Sequence, residues 1–155
     1  MEALQANGFR RYQGGYFRTL IAPEHTQNAM ALIEFTLPRG AEPPLHVHQN
    51  EDETFYVLEG RLSVRVADKV TILEPGEALF APKNTPHAFS ILTDSAKLLN
   101  LITPGTLHRF FEDFSAPLNG APAIATEAPA PDMEAIAKMV QTISQQYQVL
   151  FLETK

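Results

Sequence analysis

Between residues 16 and 103 the chain offers no run of helical periodicity, only short segments of strand character broken by turn residues. Segments 16–22, 29–37, 45–49, 54–59, 62–66, 70–73, 78–81, 86–92 and 97–102 read as strands. Pro43-Pro44, Gly60, Ala67-Asp68-Lys69 and Pro75-Gly76 punctuate them. Leu62, Val64 and Val66 alternate with Arg61, Ser63 and Arg65, the pattern of a strand with one buried face. Regular short strands without intervening helices predict an all-β sandwich or barrel. The 155 residues are one domain's worth. The expectation is therefore a single domain over 1–155, with its barrel at about 14–104 and a helical or extended tail from about 105 to 155.

The tail has a different composition. Residues 108–114 look like one or two helical turns. Residues 116–131 hold four prolines and six alanines and read as an extended connector. Asp132 can cap a helix on which Met133, Ile136, Val140, Ile143 and Tyr147 recur at helical spacing. That stripe predicts a helix packed on the barrel or on a second subunit, and a homodimer is expected from it together with the sheet edges and apolar outer faces of a barrel.

Three classes of function drop out on composition. There is no cysteine, so disulfides, thiolate metal sites and thiol catalysis are excluded. Twelve basic against eighteen acidic residues leave a formal charge of −6, with no electrostatic footprint for nucleic acid or an anionic membrane. No apolar run approaches the ~20 residues of a membrane span. The first residues lack a basic stretch followed by an apolar one, so no signal peptide is expected, and the cytoplasm is the expected location.

The chemistry concentrates in the middle. Of five histidines, His46 and His48 stand two apart in one predicted strand, so their imidazoles share a face. Residues 49–52 are short enough to turn the chain, and Glu53 then opens a returning strand facing the same pair. His87 opens a later strand. Phe55 and Val57 share the parity of Glu53, and Phe89 and Ile91 that of His87, so these four are the expected pocket wall. Three neutral imidazoles and a carboxylate suit one divalent transition metal ion (Fe, Mn, Ni, Cu or Zn). On a six-coordinate ion they leave two open positions, as a catalytic or substrate-binding site requires. Phe80 is expected in the core or pocket wall, His25 on the surface, and Glu51 and Asp52 in a solvated turn. His108 is expected to cap or pack the small helix after the barrel. Tyr56 has the wrong parity for the site. Metal affinity is expected to fall below about pH 6, where ordinary imidazoles begin to take protons.

The same residues resemble the cupin superfamily, and in particular its small single-domain members similar to quercetin dioxygenase. The first cupin motif is matched without a gap by Gly40, His46, His48, Glu53 and Gly60. The second is matched by Gly76, Pro82 and His87, with residues 61 to 75 between the two. The chain departs from the second motif at Asn84, where glycine is usual and a left-handed turn must be accommodated, and at Ile91, where asparagine is usual. The resemblance implies a double-stranded β-helix, or jelly-roll, barrel. It also implies a metal held by His46, His48, Glu53 and His87, and a dioxygenase acting with O₂ on a small aromatic or enolic substrate, Glu53 leaving the metal to act as base. A metal-dependent isomerase or lyase of a small polar molecule, and a binding module without catalysis, stay open as alternatives, because one fold hosts all three.

Overall fold

Alternation of inward and outward side chains, not propensity alone, decides where the strands of this chain lie. In the computed structural model, which describes residues 8–125 and 132–153, twelve strands form two antiparallel sheets. In chain order the strands are β1 (Arg10–Tyr12), β2 (Gly15–Ile21), β3 (Ala31–Pro38), β4 (His46–His48), β5 (Asp52–Glu59) and β6 (Leu62–Val66). They continue with β7 (Lys69–Leu73), β8 (Ala78–Ala81), β9 (His87–Ile91), β10 (Ser95–Thr103), β11 (Ala116–Pro117) and β12 (Val149–Phe151). The two α-helices are α1 (His108–Asp113) and α2 (Met133–Tyr147). One sheet runs β11-β1-β2-β3-β10-β5-β8, the other β12-β4-β9-β6-β7.

The expected all-β barrel with a C-terminal helix is what the chain forms. The nine strands expected between 16 and 103 are all present, with ends shifted by a few residues. The expected limits of the barrel are too narrow. β1, β11 and β12 lie wholly outside residues 14–104, yet each hydrogen-bonds into one of the two sheets. They are two or three residues long, too short for alternation to declare them.

The core lies between the sheets. On β10, Ala96, Leu98, Asn100 and Ile102 point inward, all at most 2% exposed, against Phe35, Ile33, Phe55 and Val57 of the neighbouring strands. An aromatic cluster of Tyr12, Phe17, Phe35 and Phe111 closes one end, with ring centroids 5.2 to 6.3 Å apart. Gly60 follows β5 at φ 83°, and a Cβ there would stand 2.6 Å from the Ser95 carbonyl oxygen, so the tight return into β6 requires glycine. Asn84 adopts φ 60°, the left-handed turn expected of it, and its backbone N–H donates to the His48 carbonyl at 2.7 Å.

Asp132 caps α2 as expected, accepting from the backbone N–H groups of Glu134 and Ala135. The helix packs on its own barrel through Ile143, Met139 and Tyr147, and Tyr147 meets Phe110 edge-on at 5.8 Å. Of the connector expected over 116–131, residues 126–131 fall outside the described residues. No helix among the described residues is long and apolar enough to cross a membrane.

Candidate metal centre

β4 consists of the two histidines and the valine between them, so both imidazoles face inward and Val47 faces away. Glu53 is the second residue of β5 and His87 the first of β9. His46 pairs directly with His87 across the sheet. One donor atom from each of His46, His48, Glu53 and His87 lies within 4.8 Å of the other three, and all four residues are buried. The Nε2 atoms of His46 and His48 are 3.1 Å apart. Glu53 Oε2 is 2.9 Å from His87 Nε2 and 3.3 Å from His48 Nε2.

The outer nitrogens explain why the inner ones converge. His46 Nδ1 lies 2.7 Å from the Pro44 carbonyl, His87 Nδ1 3.0 Å from the Thr85 carbonyl, and His48 Nδ1 3.4 Å from Glu51 Oε2. Each acceptor draws the ring proton to Nδ1 and leaves a lone pair on Nε2. Three such lone pairs and a carboxylate oxygen meeting at one buried point repel one another unless a cation or a proton sits among them. The donor set and its outer hydrogen bonds therefore fit a divalent transition metal.

Without the ion, protons answer the same need. Burial pushes His46 down to about 4, and the neighbouring imidazoles add to this, while Glu53 only partly opposes it. Burial also acts to lower His48, but its hydrogen bonds to Glu51 and Glu53, and the charge of those carboxylates, outweigh it and raise the group to about 9. For Glu53, burial acts upward, yet the hydrogen bonds and charge of His48 and His87 hold it well below the usual carboxylate range. At neutral pH the metal-free cluster thus keeps Glu53 ionised and His48 protonated between two carboxylates.

A cavity of about 480 Å³ opens on the cluster. Its walls are mostly apolar, with Phe35, Phe55, Phe89, Phe110 and Phe111 among them. One side is closed by Ile136, Met139, Val140 and Ile143 of α2. Of the four expected wall residues, Phe55 and Phe89 line this cavity. Val57 and Ile91 do not: they lie one repeat further along the same strands, buried in the packed core. Parity sets the face of a strand but not the depth along it. The asparagine-to-isoleucine departure at position 91 therefore alters the core and not the cavity wall.

Other expectations need correction as well. Phe80 is 56% exposed: its neighbours Leu79 and Ala81 hold the inward parity of the edge strand β8, so its own ring faces out. Glu51 is 1% exposed, and instead of sitting in a solvated turn it supports His48. His25 is exposed as expected. His108 is buried where α1 packs on β2, with Nε2 2.7 Å from Thr19 Oγ1, and does not line the cavity.

Sequence reasoning misses two polar residues of the site. Asn100 donates from Nδ2 to Glu53 Oε1 at 2.7 Å. Its signal is present, since it is the one polar residue at an inward position of β10. Glu42 lines the cavity and accepts from the backbone N–H groups of Gly40 and Ile91, pinning the loop before β4 onto β9. Its position in a proline-rich loop carries no periodicity, so no sequence signal marks it.

Comparison with known proteins agrees with this architecture. Residues 33–103 match the cupin domain family. Quercetin 2,3-dioxygenase from Bacillus subtilis is 28% identical over 103 residues, which is 66% of this chain and 31% of that enzyme. The chain thus spans about a third of that relative's length. Among solved structures, an RmlC-like cupin from Shewanella frigidimarina is 21% identical with a TM-score of 0.56, over 70% of this chain and 93% of that one. A predicted oxalate decarboxylase from Thermotoga maritima is 21% identical with a TM-score of 0.53, over 66% and 96% of the two chains. At such identities the two structures speak for the fold alone.

Proposed function

We propose that this chain, whose residues 33–103 match the cupin domain family, holds one divalent transition metal ion on His46, His48, Glu53 and His87 and with it carries out a dioxygenase-type reaction on a small aromatic or enolic substrate. The observation that carries the reading is that three of the four donors, His46, His48 and Glu53, line a mostly apolar cavity that also presents Phe55 and Phe89. Four protein ligands on a six-coordinate ion would leave two positions open. The ion supplies Lewis acidity toward an enol or phenol oxygen and brings two small reactants into one orientation. The chain's own groups do the rest. Phe55 and Phe89, with ring centroids 5.6 Å apart, present flat apolar surface to a planar ring and exclude water. Glu53 is the carboxylate that would take the proton of the substrate hydroxyl on leaving the ion. A sugar would bury many hydroxyls against this wall without partners, at a cost of about 1–3 kcal/mol each. The likeness to quercetin 2,3-dioxygenase supports the same class.

The test is an oxygen electrode with the iron(II) and manganese forms and a panel of catechols, flavonols and β-diketones. Uptake with at least one compound, abolished in Glu53→Ala, is expected. No uptake, together with tight binding of a sugar phosphate or nucleotide sugar, would replace the reading with an isomerase or lyase. Silence in both assays would leave a binding module.

The proposal extends to a homodimer. Val70 and Ile72 on the edge strand β7 are 59% and 43% exposed, and Phe80 lies on the other sheet's edge strand. Large apolar side chains beside open sheet edges favour pairing with a second copy. Light scattering at micromolar concentration should give twice the chain mass, and a single chain mass would end this part of the proposal.

A further inference from the structure

Asn100 is costly where it stands. It is 2% exposed, and its Oδ1 has no hydrogen-bond partner among the described residues. An unpartnered buried amide oxygen gives up solvation that a leucine would never need. The other inward positions of β10 are apolar, Ala96, Leu98 and Ile102. The single contact that distinguishes Asn100 from them is the 2.7 Å hydrogen bond from Nδ2 to Glu53 Oε1. Glu53 has two oxygens, and they are used differently. Oε2 faces the imidazoles of His48 and His87, and Oε1 is drawn the other way by Asn100.

We infer that Asn100 is a positioning residue that keeps Glu53 a one-oxygen ligand and so preserves the second open position on the metal. The inference rests on the metal site proposed above. With Asn100 in place, Oε1 is engaged outside the ligand cluster, and Oε2 is turned toward His48 and His87. Without it, Oε1 becomes a buried carboxylate oxygen with no donor, and its strongest available partner is the cation itself. Glu53 then binds through both oxygens and fills one of the two open positions. A substrate oxygen and a second small ligand can no longer sit side by side. Asn100 does this by deciding which oxygen of Glu53 is free.

Manganese(II) alone is the probe, and bound water is the readout. Water-proton relaxation counts the exchangeable waters on the ion, and titration gives its dissociation constant. In the unaltered protein two waters are expected. In Asn100→Leu, the relaxation enhancement per bound ion should fall about twofold, and the dissociation constant should change by about tenfold, as when other groups that orient a ligand are removed. The same substitution in a Glu53→Gln background separates positioning from packing. The neutral amide in that background has no second anionic oxygen to swing, so the effect of Asn100→Leu should largely vanish there. Circular dichroism checks that each variant folds, and Asn100→Ser carries the comparison if Asn100→Leu does not. An unchanged water count in the variant, or equal effects in both backgrounds, would overturn the inference while leaving the metal site standing. No manganese bound by the unaltered protein would overturn both.

Discussion

Replacing either His48 or His87 with alanine will strip the protein of most of its metal. Both rings direct Nε2 into the cluster, and both also approach Glu53 Oε2, at 3.3 and 2.9 Å. Removing one therefore deletes a ligand and loosens a second. Groups that only orient a ligand are worth about 10–100-fold in affinity, and a ligand itself is worth more. A loss beyond about a hundredfold is expected, which empties the site at ordinary metal concentrations. Glu53→Gln should weaken binding without abolishing it, because the amide oxygen still points inward but carries no charge. Elemental analysis of protein purified without a nickel column, set against chain concentration, measures this. Full metal content in both histidine variants would remove the assignment.

Metal affinity will rise about tenfold per pH unit between roughly pH 7 and 9, and one proton will leave for each ion bound. His48 is raised to about 9 in the metal-free cluster, so at neutral pH it holds a proton that the ion must displace. His46, lowered to about 4, is already free of its proton across this range and adds nothing until the solution is much more acid. The window thus sits well above the pH 6 expected of unperturbed imidazoles, because Glu51 and Glu53 flank His48. The sign for folding stability is the opposite. A group whose pKa is raised on folding stabilises the metal-free protein fully below its unfolded value of about 6.5, and that contribution is lost as pH rises through about 9. Calorimetric titration at several pH values, in buffers of different ionisation heat, reads both the affinity and the proton. A flat affinity from pH 7 to 9 would show that His48 does not carry the displaced proton.

Much of the barrel can be read from the sequence because its strands obey period two and end at glycine or proline. The candidate metal cluster can be read for the same reason. His46 and His48 share parity, and Glu53 and His87 each stand at the start of a strand, so four positions follow from four local patterns. What local pattern cannot express is distance along a strand and distance across the fold. Phe55 and Val57 look equivalent in sequence, yet one meets the cavity and the other the core. Phe80 is misplaced when aromatic character is weighed above its parity on β8. Glu51 looks solvated beside Asn50 and Asp52, and only the close return of β5 toward β4 buries it. Asn100 lies 47 residues from the glutamate it serves, and no reading confined to one segment joins the two.

β4 is three residues long and meets β9 at a single register pair, His46 with His87. Its other edge is held by β12, which pairs Val149, Leu150 and Phe151 with His48, Val47 and His46. Gln49 N–H to the Gln148 carbonyl and Leu152 N–H to the Leu45 carbonyl extend that pairing on both sides. The helix that closes the cavity runs directly into this strand. The edge of the His46–His48 strand is thereby paired and not open, and three residues far along the chain tie the cavity-lining helix to the candidate metal centre.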